Sequence, residues 1–321
     1  MAEKYAVGID IGGTTVKLAF INQMGSIKDK WEIDTNKENK GISIPTDIWK
    51  SVEKRIMDSD ISLEQLLGIG AGAPGFVEPA TGVVSIAVNI GWKDFELAEK
   101  LESLSGLPVI VDNDANIAAL GENWKGSGNQ VDNLIAITLG TGVGGGIIAN
   151  GQVLNGVNGT AGEIGHITAE VDGAPCNCGR NGCLETVASA TGIVRQAMRS
   201  IESGNETILV ETFRKNGEIN AKDVFAAADS GDEAARRIVA KTADVLGFAI
   251  ANAATIINPE KIVIGGGVSQ AGRQLLTPLR AAFDRYALPR ISEGCEFVIA
   301  QLGNDAGVLG AAYLVRQQGS S

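Results

Sequence analysis

"YAVGIDIGGTTVKLAFINQMG", residues 5–25, decides the fold, because a second stretch with the same layout occurs at residues 134–154. The second stretch reads "LIAITLGTGVGGGIIANGQVL" and aligns with the first when Leu139-Gly140 is placed on Ile11-Gly12. Each copy reads as strand, glycine-threonine turn, strand and short turn. The repeat predicts an internal duplication of one supersecondary unit. Two unrelated glycine-rich hairpins are the alternative.

Strand and helix patterns alternate around both copies. Residues 5–35 predict three strands joined by glycine turns. Further strands are predicted at 66–75, 108–114 and 295–300, and residues 261–269 predict a strand, a glycine turn and a helix start. Helices are predicted at 47–57, 95–105, from Ala115, at 232–258, and after the last strand. Two similar halves of this kind predict two α/β domains that face a cleft.

The composition excludes several classes of protein. The 321 residues are 20% charged and 44% hydrophobic, with a formal net charge of −11. An acidic chain lacks the basic patch that nucleic-acid binding needs, so we expect no nucleic-acid partner. We find no signal-peptide pattern and no uninterrupted apolar run that would span a membrane. We therefore predict a cytoplasmic protein with reduced thiols and no membrane partner.

Four soft metal ligands are concentrated in one short stretch, "GHITAEVDGAPCNCGRNGCLE", residues 165–185. It contains His166, the only histidine of the chain, together with Cys176, Cys178 and Cys183. Cys3His is a complete tetrahedral zinc set, and the glycines, proline and asparagine between the ligands suit tight turns. We predict a closed, structural Zn2+ site. The fourth cysteine, Cys295, lies in a strand pattern and is predicted to be a core residue.

Three glycine-rich turns each follow a predicted strand. Glycine lets the backbone approach a phosphate closely, and threonine adds a hydroxyl donor. The turns do not match a P-loop, because the motif G-x-x-x-x-G-K-[ST] is absent. They do not match a dinucleotide fingerprint, because the chain continues after the first turn as a strand and not as a helix. A nucleoside triphosphate held between two domains fits them better. The turns are Gly12-Gly13-Thr14-Thr15, Gly140-Thr141-Gly142 and Gly265-Gly266-Gly267.

Acidic residues stand where predicted strands end. Asp10 precedes the first glycine turn, where a carboxylate could hold Mg2+ beside phosphates. Asp112, Asn113 and Asp114 end another strand and precede a helix, which is a usual place for catalytic groups in α/β proteins. Helix capping is the alternative for Asn113 and Asp114.

Two further acids flank the predicted zinc ligands. Glu163 lies three residues before His166, and Glu185 lies two residues after Cys183. Carboxylates on a rigid loop can accept hydrogen bonds from sugar hydroxyls. Solvated surface acids are the alternative for both.

These motifs together resemble the sugar kinases of the repressor–ORF–kinase (ROK) family, and most closely its bacterial glucokinases. The resemblance covers nearly the whole chain, and the motif C-x-C-G-x-x-G-C-x-E is its most specific part. It implies a two-domain, actin-like (ribonuclease H-like) ATPase fold with a cleft between the domains. The motifs are "GIDIGGTTVK", "GAPG", "VDNDAN", "TLGTGVGGG", "GEIGH", "CNCGRNGCLE", "IGGGVS" and "LGNDAGVLGAA".

The resemblance also implies roles for individual residues. It places the catalytic base at Asp114, which strand alternation alone does not separate from Asp112. It gives His166 two roles, as zinc ligand and as sugar contact. The implied sugar-binding residues are Asn89, Asn113, Asp114, Glu163, His166 and Glu185. The implied nucleotide-binding residues are Asp10, Gly12, Gly13, Thr14, Thr15, Lys17, Gly140, Thr141, Gly142, Gly266 and Gly267.

The activity implied is ATP- and Mg2+-dependent phosphorylation of glucose to glucose 6-phosphate. The alternatives are the same chemistry on N-acetylmannosamine, N-acetylglucosamine or fructose, or a sugar-responsive repressor. We discount the repressor because the first predicted strand begins near Tyr5 and leaves no room for a helix-turn-helix before it. Polyphosphate remains an alternative phosphoryl donor.

The domains are predicted to span residues 1–118 plus 305–321 for the smaller one, and residues 119–304 for the larger one with the zinc loop. The family and symmetry both favour a homodimer.

Overall fold

Two five-stranded sheets with the same strand pattern organise residues 3–318, the part of the chain that this computed structural model describes. The first sheet contains β1 (Tyr5–Ile11), β2 (Thr15–Asn22), β3 (Ile27–Asp34), β4 (Leu66–Ala73) and β8 (Val109–Asn113). The second contains β9 (Leu134–Leu139), β10 (Val143–Ala149), β11 (Gln152–Val153), β12 (Lys261–Gly265) and β13 (Glu296–Ile299).

Strand order confirms the predicted duplication. The sheets run β3-β2-β1-β4-β8 and β11-β10-β9-β12-β13. In each, an antiparallel three-stranded meander is followed by two strands parallel to its first strand. The glycine-threonine turns connect β1 to β2 and β9 to β10, so they occupy equivalent positions in the two halves.

A small third sheet and several helices were not predicted. The sheet contains β5 (Phe76–Val77), β6 (Val84–Ala87) and β7 (Trp92–Phe95). Its last strand corrects the helix predicted from Phe95. That residue pairs with Val84 and stacks on Trp92, with ring centroids 4.3 Å apart, so the helix begins at Leu97.

The helices otherwise agree with the predicted patterns, with shifted ends. The first begins at Ile44 and not at Asp47, and the third begins at Asp114 and not at Ala115. The helices are α1 (Ile44–Met57), α2 (Leu97–Ser105), α3 (Asp114–Lys125), α4 (Glu185–Ala188), α5 (Ala190–Glu202), α6 (Leu209–Asn216), α7 (Ala221–Asp229), α8 (Glu233–Ile257), α9 (Arg273–Tyr286), α10 (Pro289–Gly294) and α11 (Ala306–Gln318).

Each sheet has its own hydrophobic core, and two helices lie between the sheets. One core surrounds β1, β2 and β4, and the other surrounds β9, β12 and α8. Helix α3 packs on β9 and β10, α11 packs on β1 and β4, and the two helices pack on each other. The predicted domain boundary after residue 118 falls inside α3.

Helix α8 corrects one sequence expectation. Its 25 residues are long and apolar enough to cross a membrane by length and composition, although we predicted no such stretch. Half of its apolar window is buried, and Leu246 and Ile250 have no exposed surface. It packs against α7 and α9, as the core helix of a globular domain does.

Candidate active site

A cavity of 470 Å³ opens between the carboxyl-terminal ends of β1 and β9 and the start of α3. It is lined by residues from both halves of the chain, including Ala115 and Thr138, which sequence reasoning missed. Seven of the predicted site residues meet there: Asp10, Lys17, Asp114, Gly140, Gly142, Glu185 and Gly266.

Asp114 is the first residue of α3, directly after β8. Its carboxylate is open to solvent through the cavity, but protein surrounds it on the other sides. Desolvation, together with the negative charge of nearby Asp10, raises the pKa of Asp114 from 3.8 to about 6, although the Ala115 N–H donates to Oδ1 at 2.8 Å and opposes the rise. The group is therefore ionised at neutral pH, with a pKa close to the range that suits a general base.

Asn113 serves as the N-cap of α3. Its Oδ1 accepts hydrogen bonds from the N–H groups of Ala115, at 2.8 Å, and Asn116, at 3.4 Å. Its Nδ2 donates to the Gly75 carbonyl at 2.7 Å. The capping alternative is thus confirmed for Asn113. A sugar contact from this residue would use the second N–H of the amide.

Asp10 and Lys17 approach the same cavity from the β1–β2 hairpin, where they are paired across the two strands. Burial raises the pKa of Asp10, and the positive charge of Lys17 partly opposes this rise. Lys17 Nζ donates to Asn304 Oδ1 at 3.2 Å. Asn304 was not assigned a role from the sequence, although it lies in the quoted motif "LGND" just before α11.

The two glycine-threonine turns close in similar ways. The Gly12 N–H donates to the Thr15 carbonyl at 2.9 Å, and the Gly140 N–H donates to the Gly142 carbonyl at 3.0 Å. Those two amides are used inside the turns. Phosphate binding would therefore depend on the N–H groups of Gly13, Thr14, Thr141 and Gly142.

Asn89 lies outside the cavity lining, in the turn between β6 and β7. It is exposed, and its Cβ lies 3.7 Å from the position that a Cβ on Gly13 would occupy. The structure therefore brings Asn89 next to the first glycine turn.

The four predicted metal ligands converge. Their ligand atoms, one from each of His166, Cys176, Cys178 and Cys183, all lie within 4.8 Å of one another. His166 Nδ1 is 3.6 Å from Cys176 Sγ, and Cys178 Sγ is 3.6 Å from Cys183 Sγ. A zinc–sulfur bond of about 2.3 Å gives a tetrahedral edge of about 3.8 Å, so the donor set fits zinc in both spacing and chemistry.

The backbone of this loop is built for such convergence. The Cys176 N–H donates to the Arg180 carbonyl at 2.8 Å, and the Gly179 N–H donates to the Cys176 carbonyl at 3.0 Å. At Gly182, φ is +71° and an added Cβ would lie 1.7 Å from the Glu170 carbonyl oxygen. Only glycine fits there, and it directs the following Cys183 into the cluster.

The cluster holds two carboxylates next to the imidazole. Glu185 Oε1 lies 2.9 Å from Cys176 Sγ and 3.9 Å from His166 Nδ1. Glu163 Oε2 lies 3.9 Å from His166 Nε2. Burial raises the pKa of Glu163, the nearby imidazole lowers it, and Glu163 in turn adds to the raised pKa of Asp114. Glu163, His166, Glu185 and Asp114 therefore form one polar group at the cleft.

A second cavity, of 850 Å³, adjoins the first and shares Gly140 with it. Gly267 lines the second cavity, whereas Gly266, which was assigned with it to the nucleoside side, lines the first. Lys222 and Phe225 of α7 and Arg273 of α9 also line the second cavity, and sequence reasoning missed all three. They occupy ordinary helical positions without a motif, so only the packing of the helices identifies them.

Comparisons with known proteins agree with this geometry. The ROK family model matches residues 6–318. A glucokinase of Halalkalibacterium halodurans is 58% identical, covering 100% of this chain and 98% of that protein. The structure of a ROK family glucokinase from Streptomyces griseus in complex with glucose and AMPPNP is 36% identical, with a TM-score of 0.76, and covers 98% of this chain and 99% of that one.

A regulator has the same fold. A ROK family transcriptional regulator, described as a homologue of the E. coli MLC protein, has a TM-score of 0.84 at 30% identity, covering 98% of this chain and 78% of that one. The matches confirm the predicted fold, the two-domain actin-like ATPase fold of ROK sugar kinases.

Proposed function

This chain belongs to the ROK family, and we propose that it is a glucokinase that transfers the γ-phosphoryl group of ATP to the 6-hydroxyl of glucose. The observation that carries this proposal is the placement of Asp114. Desolvation and the charge of Asp10 raise the pKa of this carboxylate to about 6, and it faces one cavity together with Lys17 and the second glycine turn, at Gly140 and Gly142. A general base and a phosphate-binding surface are the two parts that phosphoryl transfer to an alcohol requires.

Asp114 acts as the base. Its carboxylate accepts the proton of the sugar hydroxyl as that oxygen attacks the γ-phosphorus, and the bond to the β-phosphate oxygen breaks. The raised pKa of the carboxylate strengthens it as a proton acceptor while leaving it ionised at neutral pH. ADP and glucose 6-phosphate are the products.

The two adjoining cavities suggest how ATP lies. The adenosine occupies the 850 Å³ cavity beside Gly267, and the phosphates pass Gly140 into the 470 Å³ cavity. There the turn amide of Gly142 donates to a phosphate oxygen, and Lys17 adds positive charge. Asp10 would hold Mg2+, which neutralises charge on the phosphates when it is bound.

The zinc cluster orients the sugar-binding groups. With Nδ1 directed at the metal, the imidazole of His166 keeps its proton on Nε2 and can donate to a sugar oxygen. Glu163 and Glu185, on either side, accept from sugar hydroxyls, and Asn113 and Asn89 complete the contacts. A Zn2+ ion held by His166 and the three cysteines would fix these side chains before the sugar binds.

Several broader features belong to the same proposal. The enzyme works in the cytoplasm as a homodimer. Its smaller domain comprises residues 1–118 and 305–321, and its larger domain comprises residues 119–304. The separate cores of the two sheets support this division, with α3 and α11 forming the connection.

Release of ADP upon addition of glucose tests the proposal directly. Purified protein with ATP and Mg2+ should release ADP only when sugar is present, with one glucose 6-phosphate formed for each ADP. Binding of sugar without any ADP release would contradict the kinase and favour a regulator with the same fold.

Glu185→Gln should raise the Michaelis constant for glucose and leave that for ATP nearly unchanged. Loss of one charge-assisted hydrogen bond should raise the constant by about 10- to 150-fold. Glu170→Gln is the matched control, because Glu170 lies on the same loop but pairs with Lys241 at 2.7 Å.

Zinc content of both variants must also be measured, since Glu185 touches Cys176. An unchanged glucose constant in a zinc-loaded Glu185→Gln protein would show that Glu185 does not bind the sugar.

A further inference from the structure

Three polar side chains, two of them buried and one half-buried, connect the two halves of the chain behind the proposed sugar site. Asn116 Nδ2 donates to Asp112 Oδ1 at 2.8 Å and to Asn155 Oδ1 at 3.0 Å. Asn155 Nδ2 donates to Asp112 Oδ2 at 3.4 Å. Asp112 is 6% exposed and Asn116 is 3% exposed. We call these three residues the polar clasp. The role proposed for Asp114 does not use any of them.

The clasp joins two segments that both lead to the sugar site. Asp112 and Asn116 flank Asn113 and Asp114 at the start of α3. Asn155 begins a loop that reaches Glu163, and the Ala161 N–H closes the loop by donating to the Asn155 carbonyl at 3.2 Å. The clasp therefore fixes the base side of the site relative to the zinc side.

The loop also contacts the third sheet. At Gly159 a Cβ would lie 1.9 Å from the Val77 carbonyl oxygen, so backbone meets backbone there. With one end held by Asp112 and its middle packed on β5, the loop has little freedom to shift Glu163.

We propose that Asp112 and Asn155 are positioning residues for the acceptor sugar, and that the hydrogen bonds of the clasp set the spacing between Asp114 and Glu163. The proposal rests on the function proposed above. Neither residue touches the reacting atoms. Their effect reaches the sugar through the two segments that they join.

The donor and acceptor pattern of the clasp provides a sharp test. Asp112 Oδ1 also accepts from the Asn113 N–H at 2.7 Å. Asp112→Asn replaces one carboxylate oxygen by an NH2 group. In place of Oδ2 this group faces the Nδ2 group of Asn155, and in place of Oδ1 it removes the acceptor of Asn116 Nδ2 and of the Asn113 N–H. In Asn155→Asp, a carboxylate faces the Asp112 carboxylate across the same gap. The double variant Asp112→Asn/Asn155→Asp restores one donor and one acceptor with the polarity reversed.

Glucose affinity, measured by calorimetry without ATP, is the main readout. Each single variant should weaken glucose binding about 10-fold, because a buried polar group loses its partner. The double variant should return toward the wild-type value, while ATP affinity stays close to wild type throughout. Asn158→Asp is the matched control, since Asn158 lies exposed in the same loop and its Oδ1 accepts only a local bond from Thr160.

Unchanged glucose affinity in the single variants would overturn the proposal. It would also be overturned if the double variant bound glucose no more tightly than either single variant. A lowered melting temperature with normal glucose binding would overturn it as well, since that describes a purely structural network. If Asp112→Asn does not fold, Asn155→Ala decides the question alone by the same titration. If the wild type phosphorylates a different sugar, the proposed function fails, and titration with that sugar still decides the role of the clasp.

Discussion

Asp114→Asn is expected to lower kcat by about 10²–10⁴-fold, because the amide cannot accept the proton of the attacking hydroxyl. The substitution keeps the shape of the side chain, and an amide oxygen can still accept the Ala115 N–H. The fold, the zinc and measurable glucose binding should therefore remain. Single-turnover kinetics with calorimetric glucose binding measure the two effects separately.

Asp112→Asn is the matched control for this loss. Asp112 lies two residues away but is buried in the polar clasp. Its substitution should therefore weaken glucose binding, with a far smaller loss in kcat. Phosphorylation of glucose by Asp114→Asn at a near wild-type rate would show that the carboxylate is not the base.

The pH profile reports the same carboxylate. Desolvation by the surrounding protein and the charge of Asp10 raise the pKa of Asp114 to about 6, and a base is active only when it is deprotonated. The kcat/KM of the wild type should therefore be constant above neutrality and fall about tenfold per pH unit well below pH 6. This acidic limb should be absent from the residual activity of Asp114→Asn.

Cys178→Ser should produce the second large effect, which is loss of zinc. Removing one of four ligands should lower zinc affinity by at least about 100-fold, since loss even of a supporting contact costs 10- to 100-fold. Stability and glucose affinity should fall together, because zinc bound to the folded protein stabilises it and orders the sugar-binding loop. Metal analysis, thermal unfolding and glucose titration measure the three effects.

Cys295→Ser separates ligand loss from cysteine loss. Cys295 is buried directly before β13, in the core around β9, β12 and α8 and outside the cluster. This variant should retain one zinc per chain. Carefully prepared wild-type protein without zinc would contradict the proposed metal site.

The parts of the fold that depend on local sequence were predictable. Neighbouring residues alone determine each repeated unit of strand, glycine turn and strand. The two sheets have the same strand order because this unit is repeated. The zinc ligands also lie within one short segment, so their spacing identifies them. Asp114 is likewise marked by a strand that ends in a helix start.

The rest depends on contacts distant in sequence. Phe95 reads as a helix start, but its stacking on Trp92 makes it a strand end. Lys222 and Arg273 share the 850 Å³ cavity only because α7 and α9 both pack on α8 and both begin at this cavity. Asn155 meets Asp112 across 43 positions of the sequence, a pairing that no local pattern indicates.

Comparison of kcat/KM for glucose and N-acetylmannosamine, each with saturating ATP and Mg2+, tests the central claim most directly. ADP release followed together with product identification gives both the rate and the position phosphorylated. The account predicts the higher kcat/KM for glucose, with the phosphoryl group on its 6-oxygen. A higher kcat/KM for N-acetylmannosamine, or phosphorylation at another oxygen of glucose, would contradict it.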